Sequence, residues 1–247
     1  LAILGLMACG KDTQVAQAKT PVASAELSTP AVSQSPKQGW VVEASKDFDL
    51  LLKLGACGGT QNSDDPNKGS GAGSVLLKNK ESPEAFQTIS LSNIEGYKGY
   101  SVKNQSTGFG DKDEYLHTVE LGDFDSDGHD DIAIWSGNQG GYGGPSYHVY
   151  LFDKSAKKML FNKPLSALTV GASGIFELNN GRIISYEKSG CCEHYSTTYH
   201  FVDGALIPVE KTSEVLSPNA SNMLIVTTKK FANGRWSTVS TEQKPVE

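Results

Sequence analysis

Apolar residues fall in short runs separated by polar, glycine-rich breaks, and few stretches keep a helical period. Residues 40–44 (WVVEA) and 48–54 (FDLLLKL) are compact runs of strand formers. Residues 86–91 alternate weakly, residues 115–121 and 132–135 flank an Asp-rich turn, and residues 147–152 are strongly aromatic. Three later pairs of β-prone runs are each divided by a two-residue turn signal: Asn180-Gly181, Asp203-Gly204 and Asn233-Gly234. Such dipeptides supply the two positive φ values of a type I′ turn, whose twist matches that of a hairpin. Residues 175–178 are therefore expected to pair with 182–186, residues 198–202 with 205–209, and residues 224–231 with 235–241. Recurrent turn signals with little helical periodicity indicate an all-β domain. Small sheets arranged like propeller blades fit this spacing. A blade needs about 40–50 residues, so the domain has room for a small or incomplete β-propeller-like array rather than a full ring.

The pattern changes before residue 40. Residues 11–38 form a Thr, Gln, Ala, Ser and Pro tract without hydrophobic periodicity. It buries too little apolar surface to offset its ordering entropy and reads as a disordered tether. Residues 1–8 are apolar and read as the end of a signal-peptide hydrophobic segment. They run into Leu6-Met7-Ala8-Cys9, which resembles a bacterial lipobox with Cys9 as the acylated residue. Gly10 follows, where lipoproteins kept in the inner membrane commonly carry Asp; this implies an outer-membrane lipoprotein facing the periplasm. The expected organisation is residues 1–9 as signal and lipobox, 10–39 as linker, and 40–247 as the all-β domain. The chain has 247 residues, 26 of them glycine, and a formal net charge of −6. With no basic stripe, that balance argues against a nucleic-acid partner. No run of about 18 apolar residues occurs, so membrane contact is expected through the lipid anchor only.

The most distinctive chemistry lies in residues 121–147, LGDFDSDGHDDIAIWSGNQGGYGGPSY. Asp123, Asp125 and Asp127 alternate, Gly128 relaxes the backbone, and Asp131 closes the segment. Calcium takes six to eight oxygens, and alternating Asp residues on a tight turn aim carboxylates inward, with the His129 carbonyl as a further ligand. An EF-hand would need Glu at loop position twelve, where Ile134 stands, and a short apolar strand-like run follows instead of a helix. The loop resembles the calcium loops in blades of integrin-type β-propellers. Without a counterion, its closely spaced carboxylates would repel one another.

Catalytic signals are sparse. There is no His-Glu-x-x-His, no Gly-x-Ser-x-Gly and no spaced cysteine pair, and His117, His129, His148, His194 and His200 are scattered. The protein is expected not to be an enzyme. Residues 62–74 (NSDDPNKGSGAGS) read as a surface loop, because no Gly-Lys-Ser/Thr opens a helix there. Apart from Cys9, the cysteines are Cys57, Cys191 and Cys192, and three cannot all pair within one chain. Cys191 and Cys192 can close a vicinal disulfide, or either can join Cys57.

Residues 136–146 contain no charged side chain. Glycines surround Tyr142, and Pro145 fixes the exit. A tyrosine on such a loop offers a large apolar surface and a phenolic hydroxyl, with only two side-chain torsions to freeze. A neutral plug of this kind suits a cleft whose catalytic groups are carboxylates.

Taken together, the lipobox, the tether, the calcium loop over residues 122–131 and the adjoining SGNQGGYGGPSY segment resemble the periplasmic lysozyme-inhibitor and immunity lipoproteins of xanthomonads and their relatives. These protect a cell against lysozyme-like effectors of antibacterial type IV secretion systems. The resemblance implies a propeller-like fold, a structural calcium ion, and a tyrosine loop inserted into a lysozyme-like peptidoglycan hydrolase. Other lysozyme inhibitors place a tyrosine after Ser-Gly in their inhibitory loops, which carries over here onto Ser136, Gly137 and Tyr142. Tyr147 competes for the key position but starts a strand, so it ranks second. The alternatives are an outer-membrane lipoprotein that binds peptidoglycan or glycan on calcium-loop aromatics, and a carboxylate-dependent hydrolase.

Overall fold

A computed structural model describes residues 40–42, 45–54, 68–80, 85–97, 102–104, 118–190 and 192–246. The expectations for Cys9, the lipobox and the tether, and those for Cys57, Cys191 and His117, lie outside the described residues. Three meander sheets account for nearly all of the rest. The first contains β1 (Trp40–Val42), β2 (Phe48–Leu54), β3 (Lys68–Asn79) and β4 (Ala85–Tyr97), antiparallel and in sequence order. The second contains β5 (Val102–Asn104), β6 (Val119–Gly122), β7 (Asp131–Gly137), β8 (Ser146–Asp153) and β9 (Lys158–Phe161), with β5 parallel to β6. The third contains β10 (Glu177–Asn179), β11 (Arg182–Ser189), β12 (Glu193–Val202), β13 (Ala205–Ser217), β14 (Ala220–Ala232) and β15 (Arg235–Pro245). The helix α1 (Lys163–Leu168) links the second sheet to the third, with Asn162 capping its start through the Leu165 amide.

The all-β expectation holds. The central strand β7 of the middle sheet is buried on both faces over Asp131–Trp135, and strand alternation explains how. Ile132 and Ile134 of β7 pack with Phe48, Leu50, Val75 and Leu77 of the first sheet. The intervening Ala133 and Trp135 face a second core containing Tyr147, Val149, Leu165, Phe176 and Ile183. Cross-strand partners obey the same parity: Ile132 opposes Tyr150, whereas Ala133 opposes Val149 and Trp135 opposes Tyr147. A continuous apolar run is what a strand covered on both sides requires. The middle sheet thus packs between the other two, and the described strands form three separate sheets with no closed barrel.

The three expected hairpins form at the expected turns: Asn179 opposes Arg182, Val202 opposes Ala205, and Ala232 opposes Arg235. Both residues of each turn have positive φ, from 50° and 71° at Asn180-Gly181 to 53° and 74° at Asn233-Gly234. One expectation is corrected. The glycine-rich loop over residues 62–74 is strand from Lys68 onward, part of β3. Pairing with β2 on one side and β4 on the other overrides the weak strand preference of glycine, and the register shifts between Gly71 and Gly73. Among the described residues, no helix is long and apolar enough to cross a membrane.

Candidate functional site

The Asp-rich turn joins β6 to β7. Asp123, Asp125 and Asp131 bring carboxylate oxygens within 4.8 Å of one another. Asp131 is fully buried, and its two oxygens accept from the Phe124 amide at 2.7 Å and the Phe152 amide at 2.8 Å. Burial pushes its carboxyl up to about 8, with Asp125 and Asp127 adding to the push against those two amides. Burial, then the charges of Asp127 and Asp123, also hold Asp125 above the ordinary carboxylate range. Asp123 Oδ2 accepts from the Gly128 amide at 3.0 Å, while its buried Oδ1 has no hydrogen-bond partner. An orphaned buried oxygen beside two carboxylates that resist ionisation fits a hard cation with oxygen ligands.

One expected carboxylate ligand, Asp127, is not among the trio, and the ligand expected at His129 is its backbone carbonyl. Asp127 turns back to accept from the His129 amide at 2.8 Å. The His129 ring faces Asp47 Oδ1 at 3.1 Å, so only its carbonyl remains for an ion.

The glycine-rich loop is a built platform rather than a slack tether. Gly141–Gly143 form a single 310 turn, with the Gly144 amide donating to the Gly141 carbonyl at 3.0 Å. The Gly141 amide donates to the Ala172 carbonyl at 2.6 Å, and the Gly171 amide donates to the Gln139 carbonyl at 2.8 Å. The loop is thereby stitched to the segment after α1. Gly140 is required here, because a β-carbon would stand 2.5 Å from the Pro145 carbonyl oxygen. Tyr142 adopts φ 56° and ψ 30°, a left-handed conformation that a non-glycine residue rarely takes. Its side chain is 73% exposed, and its hydroxyl donates to the Gly190 carbonyl at 3.0 Å. Gly190 belongs to the turn between β11 and β12. Cys192 follows it and is disulfide-bonded, with its partner cysteine outside the described residues.

The chain resembles a Xanthomonas type IV secretion system related protein. That solved structure superposes with a TM-score of 0.68 and 25% sequence identity, over 85% of this chain and 97% of the other. No protein-family model matches the chain, and no curated protein matches it.

Within this shared architecture the four expected loop residues separate. Tyr142 alone stands out from the surface. Tyr147, its competitor, is 3% exposed in the second core, and burial, followed by the Glu120 charge, drives its hydroxyl far above the ordinary range. A residue so placed holds sheets together and cannot enter another protein, which corrects its candidacy. Ser136 and Gly137 end β7. They line a cavity of about 220 Å3 with Gln139, His148, Phe161 and Lys163. The sequence reading missed the buttress at Gly171 and Ala172. Its one signal was a second glycine cluster, GASG at residues 171–174, with no feature tying it to Tyr142.

Proposed function

We propose that the protein is an immunity protein that inhibits a lysozyme-like peptidoglycan hydrolase by inserting Tyr142 into its cleft. The observation that carries this reading is the presentation of Tyr142. An aromatic side chain 73% exposed, on an uncharged loop hydrogen-bonded on both flanks, is organised for contact before a partner arrives. Tyr142 holds φ 56° at a backbone cost that its exposed hydroxyl bond to the Gly190 carbonyl does no more than offset. The similarity to a type IV secretion system related protein supports a secretion-system setting; an antibacterial exchange in which an effector must be neutralised is part of the proposal. Calcium in the Asp123–Asp125–Asp131 cluster would neutralise the carboxylates and stiffen the turn that feeds β7, whose far end carries the loop. Its role is structural, and the inhibitor performs no chemistry. Lipidation at Cys9 would place it at the outer membrane, facing the periplasm where such an enzyme works.

The test is dose-dependent inhibition of labelled-peptidoglycan hydrolysis by lysozyme-like effectors of type IV secretion systems. Inhibition at stoichiometric inhibitor is expected. No inhibition across a panel of such enzymes, with the protein shown to be folded, would overturn the reading.

A second reading has its own observation. A groove of about 360 Å3 on the third sheet is lined by Tyr186, Lys188, His194, Ser196, Thr212 and Glu214. Two tyrosine rings, Tyr186 and Tyr195, among hydroxyls and charged groups suit a glycan. Phe124, an aromatic of the calcium loop, is buried with its ring centroid 5.2 Å from that of Phe176 and offers no sugar platform. Retention on insoluble peptidoglycan, lost with Tyr186→Ala and kept with Tyr142→Ala, would favour this reading over the inhibitor.

A further inference from the structure

The calcium loop is gripped by a segment more than eighty residues away in sequence. Ser45, Lys46 and Asp47 immediately precede β2 in the first sheet. Asp47 Oδ2 accepts from the Asp130 amide at 2.9 Å, and Asp47 Oδ1 faces the His129 ring nitrogen at 3.1 Å. In return, Asp130 Oδ2 accepts from the Ser45 hydroxyl at 2.8 Å and from the Lys46 amide at 3.0 Å. The Ser45 hydroxyl also accepts from the Asp47 amide at 3.0 Å, and Lys46 Nζ donates to the Gly128 carbonyl. Ser45 and Asp130 are both buried, so water does not compete for these bonds.

We propose that Ser45, Lys46 and Asp47 form a positioning clamp for the calcium loop, which makes ion binding and docking of the first sheet one linked equilibrium. The proposal rests on the calcium reading above. Every bond from the clamp to the loop falls on residues 128–130, the stretch that carries the expected carbonyl ligand at His129 and leads into Asp131. Clamping that backbone removes freedom the loop would otherwise lose on taking up an ion. Partners that orient ligands from outside the coordination sphere are worth about tenfold or more in metal affinity. Linkage is reciprocal: if the docked segment strengthens ion binding, the bound ion strengthens docking by the same factor. The other flank of the loop needs no such device, since Phe124 already anchors it in the second core.

The test uses the full chain. Calcium affinity is measured by titration calorimetry for the wild type, Ser45→Ala and Asp47→Asn, with amide hydrogen exchange across Phe48–Leu54 followed with calcium and with chelator. Asp47→Asn should weaken calcium binding about tenfold and Ser45→Ala by a smaller factor. Exchange across β2 in the wild type should slow with calcium, and Asp47→Asn should lose most of that response. Ser45→Ala changes no charge, so a loss there separates positioning from a general electrostatic field. Unchanged affinity in both folded variants overturns the clamp alone and leaves the calcium site standing. A wild-type protein that binds no calcium overturns the metal reading and the clamp with it. If Asp47→Asn does not fold, wild-type exchange across β2 that is blind to calcium overturns the coupling.

Discussion

Tyr142→Gly should separate stability from inhibition. The wild-type residue sits at φ 56° and ψ 30°, which costs a non-glycine residue about 1–2 kcal/mol. Glycine removes that cost. The substitution also loses the hydroxyl bond to Gly190, worth about 1 kcal/mol for an exposed pair, and adds about 0.5–1 kcal/mol of unfolded-state freedom. The terms nearly cancel, so folding stability should change by less than about 1 kcal/mol. For a domain of this size that is a Tm shift of no more than about 2–4 °C in either direction. Inhibition should not cancel. A central aromatic anchor typically contributes 2 kcal/mol or more, roughly thirtyfold in affinity. The assay is the Ki for peptidoglycan hydrolysis by the partner enzyme, with calorimetric melting on the same preparation. A Tyr142→Gly protein that melts normally and inhibits with unchanged Ki would refute the plug. A fall in Tm well beyond about 4 °C would show that the tyrosine serves its own fold, against the argument from backbone strain.

Three further outcomes are expected. Chelating calcium should lower the melting temperature, and Asp125→Ala should abolish the response; a ligand at a hundredfold excess over Kd stabilises by about 2.7 kcal/mol, so coincident curves with calcium and chelator would remove the ion from the account. Gly140→Ala drives a β-carbon into the Pro145 carbonyl and should cost about 1–3 kcal/mol of stability as well as inhibition, while calcium affinity stays unchanged; wild-type inhibition by this variant would mean the loop shape is irrelevant. Burial lowers the pKa of His148, which packs edge-on against Phe161 at 5.4 Å, so the unfolded chain binds the proton more readily. The stability this residue permits is complete above the ordinary histidine range near pH 6.5 and is lost as pH falls through the folded value. Melting from pH 7 downward should show a decline that His148→Gln reduces, and an identical decline in the variant would assign it to other groups.

The elements carrying a local signal were legible before any fold was known. Each Asn-Gly or Asp-Gly pair specified its hairpin, because two consecutive positive φ values are a property of the dipeptide itself. The run Ile132 to Trp135 read as a strand from its own composition, a short apolar run after a turn. The Asp-x-Asp-x-Asp-Gly spacing also placed carboxylates on one turn, since that needs only residues within hydrogen-bonding reach along the chain. Glycine and serine at residues 68–74 misled, because a strand of weak formers exists only where neighbouring strands supply its ladder.

Everything that depends on which surfaces meet was decided by the tertiary structure. Tyr142 and Tyr147 are near neighbours in an aromatic-bearing loop; the string ranks Tyr147 second because it starts a strand, but does not say that it is buried. The packing of the three sheets decides that, by burying both faces of β7 and carrying Tyr147 inward with Trp135. Asp127 and Asp123 look equivalent as ligands until the turn closes: each gives one oxygen to a backbone amide, but Asp123 is the one brought within reach of Asp125 and Asp131. Ser45 and Asp47 carry no motif at all. Their role arises because the first sheet docks where the calcium loop emerges, and a contact between residues so far apart is fixed by packing rather than by spacing along the chain.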